Sequence, residues 1–313
     1  MTNIRNIFYC IIAASISASM FSGCSKWTEP KPVAVEVNPT SISNPQAWNE
    51  YTARLKAYKS GNHYLAYARF ENGAQKPVNE GNYLRSLPDS LDIVSVANFD
   101  VLSENDKQDI ACLHEKGTKV LMLVDFAKRS AELSSQTALS AYLDKVLATG
   151  KELSLDGYSF TGIALFGGSE SEISARKQAA STIVSKLSAD KGKILVFEGD
   201  PAFVAAEDLS KLNYVVLDTE KAKDITSFYL KVSHIRETTG LPYDKLLVAT
   251  FPDKEITDEN QLKYNSLELL GDRLLDLGPI AGIAVYDIGR DYFNPTMNYF
   301  GARRLITLMN ISK

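Results

Sequence analysis

The stretch LDGYSFTGI, residues 155–163, reads as a short, largely apolar β-strand. Successive side chains of a strand point to opposite faces, so Ser159, Thr161 and Ile163 are expected to share one face. Asp156 and Gly157 stand at the start of the stretch. It is one of a series of similar runs, and the spacing of that series decides the fold.

Short runs rich in Val, Ile, Leu and Tyr alternate with helical patterns over most of the chain. The predicted strands are Tyr64–Phe70, Ile93–Ala97, Val120–Val124, Gly157–Leu165, Ile194–Phe197, Tyr214–Leu217, Leu246–Thr250 and Ile283–Tyr286. The predicted helices between them include Glu104–Lys116, Ser140–Thr149, Glu170–Ser188, Ile225–Thr239 and Asn265–Leu277. Strands and helices alternating over roughly 250 residues predict an α/β fold, a (β/α)8 TIM barrel. A doubly wound open sheet is the alternative. It is disfavoured because Gly167-Gly168-Ser169 has neither a lysine nor the dinucleotide-binding spacing.

The first residues predict a lipoprotein signal peptide, residues 1–23. Arg5 precedes an apolar run from Ile7 to Met20, and Phe21-Ser22-Gly23 stands directly before Cys24. Small residues before a cysteine at this distance are typical of cleavage before the cysteine and acylation of its thiol. A plain signal peptide with an incidental cysteine is the alternative.

Two further segments complete the predicted domain organisation. Residues 24–46 are interpreted as a tether, because proline-rich composition keeps a linker extended. Its prolines are Pro30, Pro32, Pro39 and Pro45. Residues 47–313 are predicted to form the barrel, with one amphipathic helix from Ala47 to Lys59 at its start and Ser60-Gly61 ending that helix.

Cysteine usage predicts a chain without an intrachain disulfide. Cys10 is removed with the predicted signal peptide, and Cys24 is the predicted lipidation site. Cys112 is then alone, although an exported protein reaches an oxidising compartment. Stability must therefore come from a large core.

Charge and histidine spacing exclude several classes of function. The formal net charge is −4, and acidic and basic residues are interspersed, so no basic tract suited to nucleic acid is present. The histidines, His63, His114 and His234, have no metal-ligand spacing to another His or Cys. No cofactor, metal or nucleic-acid partner is predicted.

Aromatic and acidic side chains recur at the carboxyl ends of the predicted strands, where TIM barrels carry their sites. A sugar site needs this mixture, because ring faces contact the C–H surface of a pyranose and carboxylates accept from its hydroxyls. Alternatively, acids that follow a strand cap the next helix. The residues predicted to bind a glycan are Phe70, Phe99, Phe126, Asp218, Glu220, Tyr286 and Asp287.

The stretch LDGYSFTGI, residues 155–163, resembles the catalytic strand of glycoside hydrolase family 18, which reads D-G-x-D-x-D-x-E. In that family the final Glu protonates the glycosidic oxygen, and the Asp two residues earlier orients the substrate acetamide. Asp156 and Gly157 match the start of the motif, and its acidic positions hold Ser159, Thr161 and Ile163. Further stretches that resemble the family are Glu50–Lys59 with His63–Tyr67, Asp109–Val124, Gly282–Ile288 and Asn298–Asn310.

The resemblance implies a catalytically inactive, family 18-like surface lipoprotein of a bacterial glycan-uptake system. Such a protein would bind glycans that contain N-acetylglucosamine or are of N-glycan type, and no catalytic residue is assigned. Its expected location is the cell surface, lipid-anchored in the outer membrane, with an outer-membrane glycan transporter as a partner. Asp218 and Glu220 align where active relatives carry a polar residue and a tyrosine near the end of strand six.

Two alternatives remain open. One is an active endo-N-acetylglucosaminidase or chitinase-like hydrolase with a displaced acid, for which Glu170 and Glu172 are the candidates. The other is a structural subunit of an uptake complex without affinity for glycans.

Overall fold

The computed structural model describes residues 40–73, 77–163, 165 and 167–311. The predicted signal peptide, Cys24 and residues 25–39 of the predicted tether lie outside the described residues. Residues Trp48–Lys313 form one compact unit. No helix in the described part of the chain is long and apolar enough to cross a bilayer.

The predicted TIM barrel is confirmed: eight parallel strands close on themselves, each paired with its neighbours around the ring. The barrel strands are β1 Leu65–Phe70, β2 Ile93–Val96, β3 Lys119–Val124, β4 Gly157–Thr161, β5 Ile194–Glu198, β6 Tyr214–Leu217, β7 Leu246–Thr250 and β10 Gly282–Val285. An antiparallel hairpin that the sequence did not predict, β8 Glu255–Thr257 with β9 Lys263–Asn265, follows β7. The closed ring excludes the alternative of an open sheet.

Helices surround the barrel and largely follow the predicted pattern. They are α1 Thr40–Ser43, α2 Pro45–Ser60, α3 Glu104–Glu115, α4 Phe126–Arg129, α5 Gln136–Glu152, α6 Glu170–Ser188, α7 Ile225–Thr239, α8 Ser266–Asp272 and α9 Phe300–Met309. The predicted helix Asn265–Leu277 is wrong as one element, because α8 ends at Asp272 and a separate 3₁₀ turn spans Leu274–Leu277.

Helical structure also begins earlier than predicted. α1 lies inside the segment interpreted as a tether, and α2 starts at Pro45 instead of Ala47. The side chain of Asn44 accepts a hydrogen bond from Ala47 N at 3.1 Å, which caps the first turn. Proline is tolerated at the first helical position because the amide hydrogen it lacks would have had no partner there.

Two layers of apolar side chains fix the barrel. One fills the inside of the ring and includes Tyr67, Leu121, Val196, Leu247 and Tyr286. The other, larger layer lies between the strands and the helices. Alternation along each strand therefore decides whether a residue faces the barrel axis or the helices.

Strand β4 ends at Thr161, whereas the sequence predicted a run to Leu165. The reason lies in its neighbour. Thr161 pairs with Glu198, and β5 ends at Glu198, so the ladder of hydrogen bonds stops at that level. At Gly162 a Cβ atom would lie only 2.1 Å from Phe203 Cδ1, so this glycine admits the close approach of that ring.

Candidate functional site

A charged cluster occupies the axis of the barrel where the strands end. Tyr67 Oη donates to Glu198 Oε1 at 2.5 Å, across the barrel from β1 to β5. Arg69 Nη1 lies 3.5 Å from Glu198 Oε2, and the Arg69 guanidinium carbon lies 3.9 Å from the centroid of the Tyr286 ring. Register places Glu198 beside Thr161 on the neighbouring strand.

Burial gives this cluster its electrostatic character. The side chain of Glu198 is only 1% exposed. Burial, with the charge of Glu198 as a second cause, raises the pKa of Tyr67 and of Tyr286 well above the usual value for a phenol. Burial opposes the charged form of Arg69, but the carboxylate of Glu198 and other neighbouring groups outweigh it and raise the pKa of Arg69. Both phenols therefore stay protonated and Arg69 stays cationic.

Three buried polar atoms of this cluster have no hydrogen-bond partner within the described part of the protein: Arg69 Nε, Glu198 Oε2 and Tyr286 Oη. Their residues line a cavity of about 290 Å³ at the barrel mouth. Buried polar groups are almost always paired in folded proteins, and leaving one unpaired costs about 1–3 kcal/mol. An acceptor and a donor that line the same cavity are suited to the hydroxyl and amide groups of a ligand.

The rest of the mouth is acidic. Asp218 and Glu220 are exposed at its edge, and Glu220 N donates to Asp218 Oδ1 at 2.8 Å. Lys254 Nζ donates to the backbone oxygen of Glu220 at 3.1 Å. The residues that line this cavity are Arg69, Ala127, Thr161, Gly162, Glu198, Gly199, Asp200, Asp218, Glu220, Phe251 and Tyr286. Among the described residues that line it, Arg69 is the one cation beside several carboxylates, and this charge balance makes an anionic ligand unfavourable.

Two inward side chains of residues 155–163, Ser159 and Thr161, form hydrogen bonds to neighbouring parts of the barrel. Ser159 Oγ and Ser95 Oγ share a hydrogen bond of 2.7 Å, and both residues are fully buried. Thr161 Oγ1 donates to Asp125 Oδ1 at 2.7 Å and accepts from Ala127 N at 3.0 Å. These hydroxyls tie β4 to β2 and to the end of β3, so they hold the barrel together.

Ile163 does not share the face of Ser159 and Thr161, and that expectation is wrong. It packs against the outer apolar layer and lines a separate cavity with Phe126, Leu139 and Glu172. The strand ends two residues earlier, so the alternation that would have turned Ile163 inward no longer applies.

Asp156 lies at the opposite end of β4 from the mouth. Its Oδ2 accepts from His114 Nε2 and from Val120 N, both at 2.9 Å, and its Oδ1 accepts from Lys119 Nζ at 2.9 Å. Burial alone would raise the pKa of Asp156, but these hydrogen bonds outweigh it and lower the pKa to about 2. The residue anchors the start of the strand.

Of the residues predicted to bind a glycan, Asp218, Glu220 and Tyr286 come together at the mouth. Asp287 pairs with Arg290 at 3.1 Å and lines a neighbouring groove. Phe99 lines a third cavity and makes an edge-to-face contact with the Tyr142 ring.

Phe70 and Phe126 lie outside the mouth cavity. They are 2% and 4% exposed and belong to the outer apolar layer, so neither offers a ring at the mouth. On β1 the inward position next to Phe70 is taken by Arg69. Phe126 stacks on Phe203 with ring centroids 5.7 Å apart.

The sequence prediction did not select Arg69, Glu198 or Phe251. The alternation of side chains along the strands could have identified two of them. Arg69 follows Tyr67 by two residues, and Glu198 follows Val196 by two, which places each on the inward face. Among the described residues, no group of three or more His, Cys, Asp or Glu side chains is placed to hold a metal ion.

Comparison with known proteins agrees with this architecture. Residues 30–138 match the family model described as glycoside hydrolase family 18, BT1044-like. A solved structure of BT1044 is 21% identical, with a TM-score of 0.67, and the match covers 88% of this chain and 96% of that chain. The chain is thus similar to glycoside hydrolase family 18 over residues 30–138, and it shares the barrel fold of the solved structure.

Two further solved structures are similar in fold. An endo-beta-N-acetylglucosaminidase from Cordyceps militaris is 18% identical, with a TM-score of 0.57 over 83% of this chain and 95% of that chain. The human pseudo-chitinase YKL-39 is 11% identical, with a TM-score of 0.60 over 79% of this chain and 98% of that chain. No curated protein matches the chain. The family model match ends before β4, so it does not cover residues 155–163.

Proposed function

We propose that this family 18-like protein binds N-acetylglucosamine-containing glycans at the barrel mouth and does not hydrolyse them. The observation that carries the proposal is Ile163, which the sequence resemblance aligns with the family's acid and which lines a cavity outside the mouth. Isoleucine has no proton to donate, and general acid help is typically worth about 10²–10⁴-fold in rate. The human relative YKL-39, described as a pseudo-chitinase with retained chitooligosaccharide binding, is a precedent for this separation.

Binding is supported by the groups at the mouth. Glu198 Oε2 is a buried acceptor that receives no hydrogen bond, although Arg69 Nη1 lies 3.5 Å away, and Tyr286 Oη is a buried donor that makes none. Phe251, half-buried beside them, makes an edge-to-face contact with the Tyr286 ring at 5.9 Å between centroids. An apolar ring next to convergent polar groups is typical of sugar sites.

A hydrolase with a displaced acid is the second candidate, and one observation favours it. Glu198 is a buried carboxylate beside Thr161, one strand away from the family's catalytic strand. Against this role, Tyr67 donates to one of its oxygens and Arg69 approaches the other, so both oxygens face donors. A general acid must instead direct its own proton at the glycosidic oxygen.

The candidates named from sequence, Glu170 and Glu172, are less suitable. Glu172 accepts from Ser169 N at 2.7 Å in a capping box at the start of α6. That backbone hydrogen bond, followed by the one from the Ser169 hydroxyl, lowers the pKa of Glu172, the opposite of what a general acid needs. Glu170 is exposed in the first turn of the same helix.

The test measures binding and turnover together. Chitin oligosaccharides and N-glycans are titrated into the protein by calorimetry, and the same mixtures are followed by time-resolved product analysis. Binding with intact glycan is the expected result. Turnover that disappears in Glu198→Gln would replace the proposal with the displaced-acid hydrolase, and absence of binding to all these glycans would overturn both.

We also propose that the protein is a lipoprotein of a glycan-uptake system, anchored through Cys24 at the outer-membrane surface beside a glycan transporter. The support is the sequence Phe21-Ser22-Gly23-Cys24 after an apolar run. Several acyl chains hold a protein on a bilayer far more firmly than one chain does. Cys24→Ala is expected to release the protein from the membrane fraction, and unchanged fractionation would contradict the anchor.

A further inference from the structure

The cavity that Ile163 lines, here called the outer cavity, lies among the helices α4, α5 and α6. It measures about 380 Å³, which is within the range of about 300–1,000 Å³ that small-molecule sites occupy. Its apolar lining side chains include Phe126, Leu133, Leu139, Ile163 and Ala179, and all of these except Ile163 are buried. Covering such a wall with an apolar group is favourable, because both surfaces are then removed from water.

Three polar side chains of the outer cavity already have partners within the protein. Gln136 Oε1 accepts from Thr182 Oγ1 at 2.9 Å, and Arg176 Nη1 donates to the backbone oxygen of Gly167 at 2.9 Å. Glu172 is held in the capping box of α6. Among the described residues that line the outer cavity, no buried side-chain nitrogen or oxygen is without a hydrogen bond. The outer cavity therefore differs from the mouth, whose unpaired buried groups suit a sugar.

The outer cavity adjoins the mouth at two points of the chain. Phe126 lines the outer cavity, and the next residue, Ala127, lines the mouth. Gly162 lines the mouth, and the next residue, Ile163, lines the outer cavity. These two segments follow β3 and β4, at the end of the barrel where α6 begins. A ligand in the mouth that carries a further group on this side is therefore placed to reach the outer cavity.

We infer that the outer cavity binds an alkyl chain attached to the glycan in the mouth, which makes a glycolipid the ligand class. The inference rests on the proposed function, since the sugar part of the ligand would occupy the mouth. An alkyl chain needs no hydrogen-bond partner, and burying it against the apolar wall is favourable. A glycopeptide is disfavoured, because the amide groups of its backbone would be buried in the outer cavity without partners.

The experiment uses the purified full chain and compares the methyl and octyl glycosides of N,N′-diacetylchitobiose by calorimetry. The octyl glycoside is kept below its micelle concentration. It is expected to bind at least about tenfold more tightly than the methyl glycoside, which corresponds to the burial of about two methylene groups.

Two substitutions fill the outer cavity from different walls. Ala175→Phe acts from α6, and Ala131→Phe acts from the segment between α4 and α5; both alanines are exposed. Each variant is expected to lose the tighter binding of the octyl glycoside and to keep its affinity for the methyl glycoside. Ala111→Phe is the matched control, because Ala111 is exposed on α3 and does not line the outer cavity. Melting temperatures of all three variants are expected to match that of the unaltered chain.

The outcomes separate the two proposals. Equal affinity of the unaltered chain for both glycosides overturns the alkyl site and leaves binding at the mouth intact. Tighter octyl binding that survives in both Ala175→Phe and Ala131→Phe also overturns it, because the alkyl chain would then lie elsewhere. Tighter octyl binding that is lost in Ala111→Phe as well overturns it too, because the effect would not depend on the outer cavity. If the unaltered chain binds neither glycoside, the proposed function fails and the alkyl site fails with it.

Discussion

Asp156 aligns with the first acid of the motif that residues 155–163 resemble, and its contacts predict a role in stability alone. The Asp156 carboxylate accepts hydrogen bonds from His114, Lys119 and Val120 N. Asp156→Asn removes its charge and one of its two acceptor oxygens. These bonds lower the pKa of Asp156 from 3.8 to about 2 despite burial, which acts the other way. One pKa unit corresponds to about 1.36 kcal/mol, so ionised Asp156 contributes about 2 kcal/mol to the free energy of unfolding.

The sign of the pH dependence follows from the direction of the shift. The pKa of Asp156 is lower in the folded chain than in the unfolded chain, so its contribution is fully present above the unfolded value of about 3.8. It is lost as the pH falls through about 2, the folded value. At pH 3 roughly half of the contribution remains by the same relation. Asp156→Asn should therefore cost about 2 kcal/mol at pH 7 and about 1 kcal/mol at pH 3.

Urea unfolding of the purified protein at both pH values measures this difference. Asp144→Asn is the matched control: it makes the same change in charge, but the Asp144 side chain is 65% exposed and has Lys186 as its ion-pair partner. A surface pair of this kind is worth about 0–1 kcal/mol. An equal cost of Asp156→Asn at pH 7 and pH 3, or no cost at pH 7, would refute the anchoring role. Loss of glycan affinity in the folded variant would show that the residue also acts at the site.

Three further outcomes are expected. Ile163→Glu should give no cleavage of chitin oligosaccharides in product analysis, because the side chain lines the outer cavity; efficient cleavage would mean that it reaches the mouth. Gly162→Ala should lower the free energy of unfolding by about 1–3 kcal/mol, because its Cβ would lie 2.1 Å from Phe203 Cδ1; an unchanged value in urea unfolding would show that the ring can move aside. Tyr286→Phe removes a hydroxyl without a partner in the protein, so calorimetry should show weaker glycan binding while the melting temperature stays the same or rises; unchanged affinity would exclude this hydroxyl from the site.

The barrel could be predicted because its signal is local. Each strand and each helix leaves its own periodicity in a short window, and the alternation of the two types specifies the architecture. The start of α2 was misplaced by two residues, because the side-chain cap from Asn44 was not recognised. The hairpin Glu255–Thr257 with Lys263–Asn265 was missed because its strands are very short.

The site was harder to predict because its geometry depends on partners far away in sequence. Tyr67 and Glu198 are 131 residues apart, and only closure of the ring brings them within hydrogen-bond distance. A shift of one residue in strand phase moves a side chain to the other face, so Phe70 was selected although Arg69 holds the inward position. The end of β4 is set by the end of β5, and no pattern within the stretch around Ile163 contains that information.

The side chains inside the barrel support the proposal of binding without cleavage. The inward positions of β4 carry Ser159 and Thr161, which are satisfied by neighbouring strands and bring no charge to the mouth. A carboxylate stands one strand away instead, at Glu198, where Tyr67 and Arg69 stabilise it. Hydrolysis requires a group that gives up a proton, whereas recognition requires only acceptors and donors held in place. Glu198 and Tyr286 meet the second requirement, and this difference is why we propose binding without cleavage.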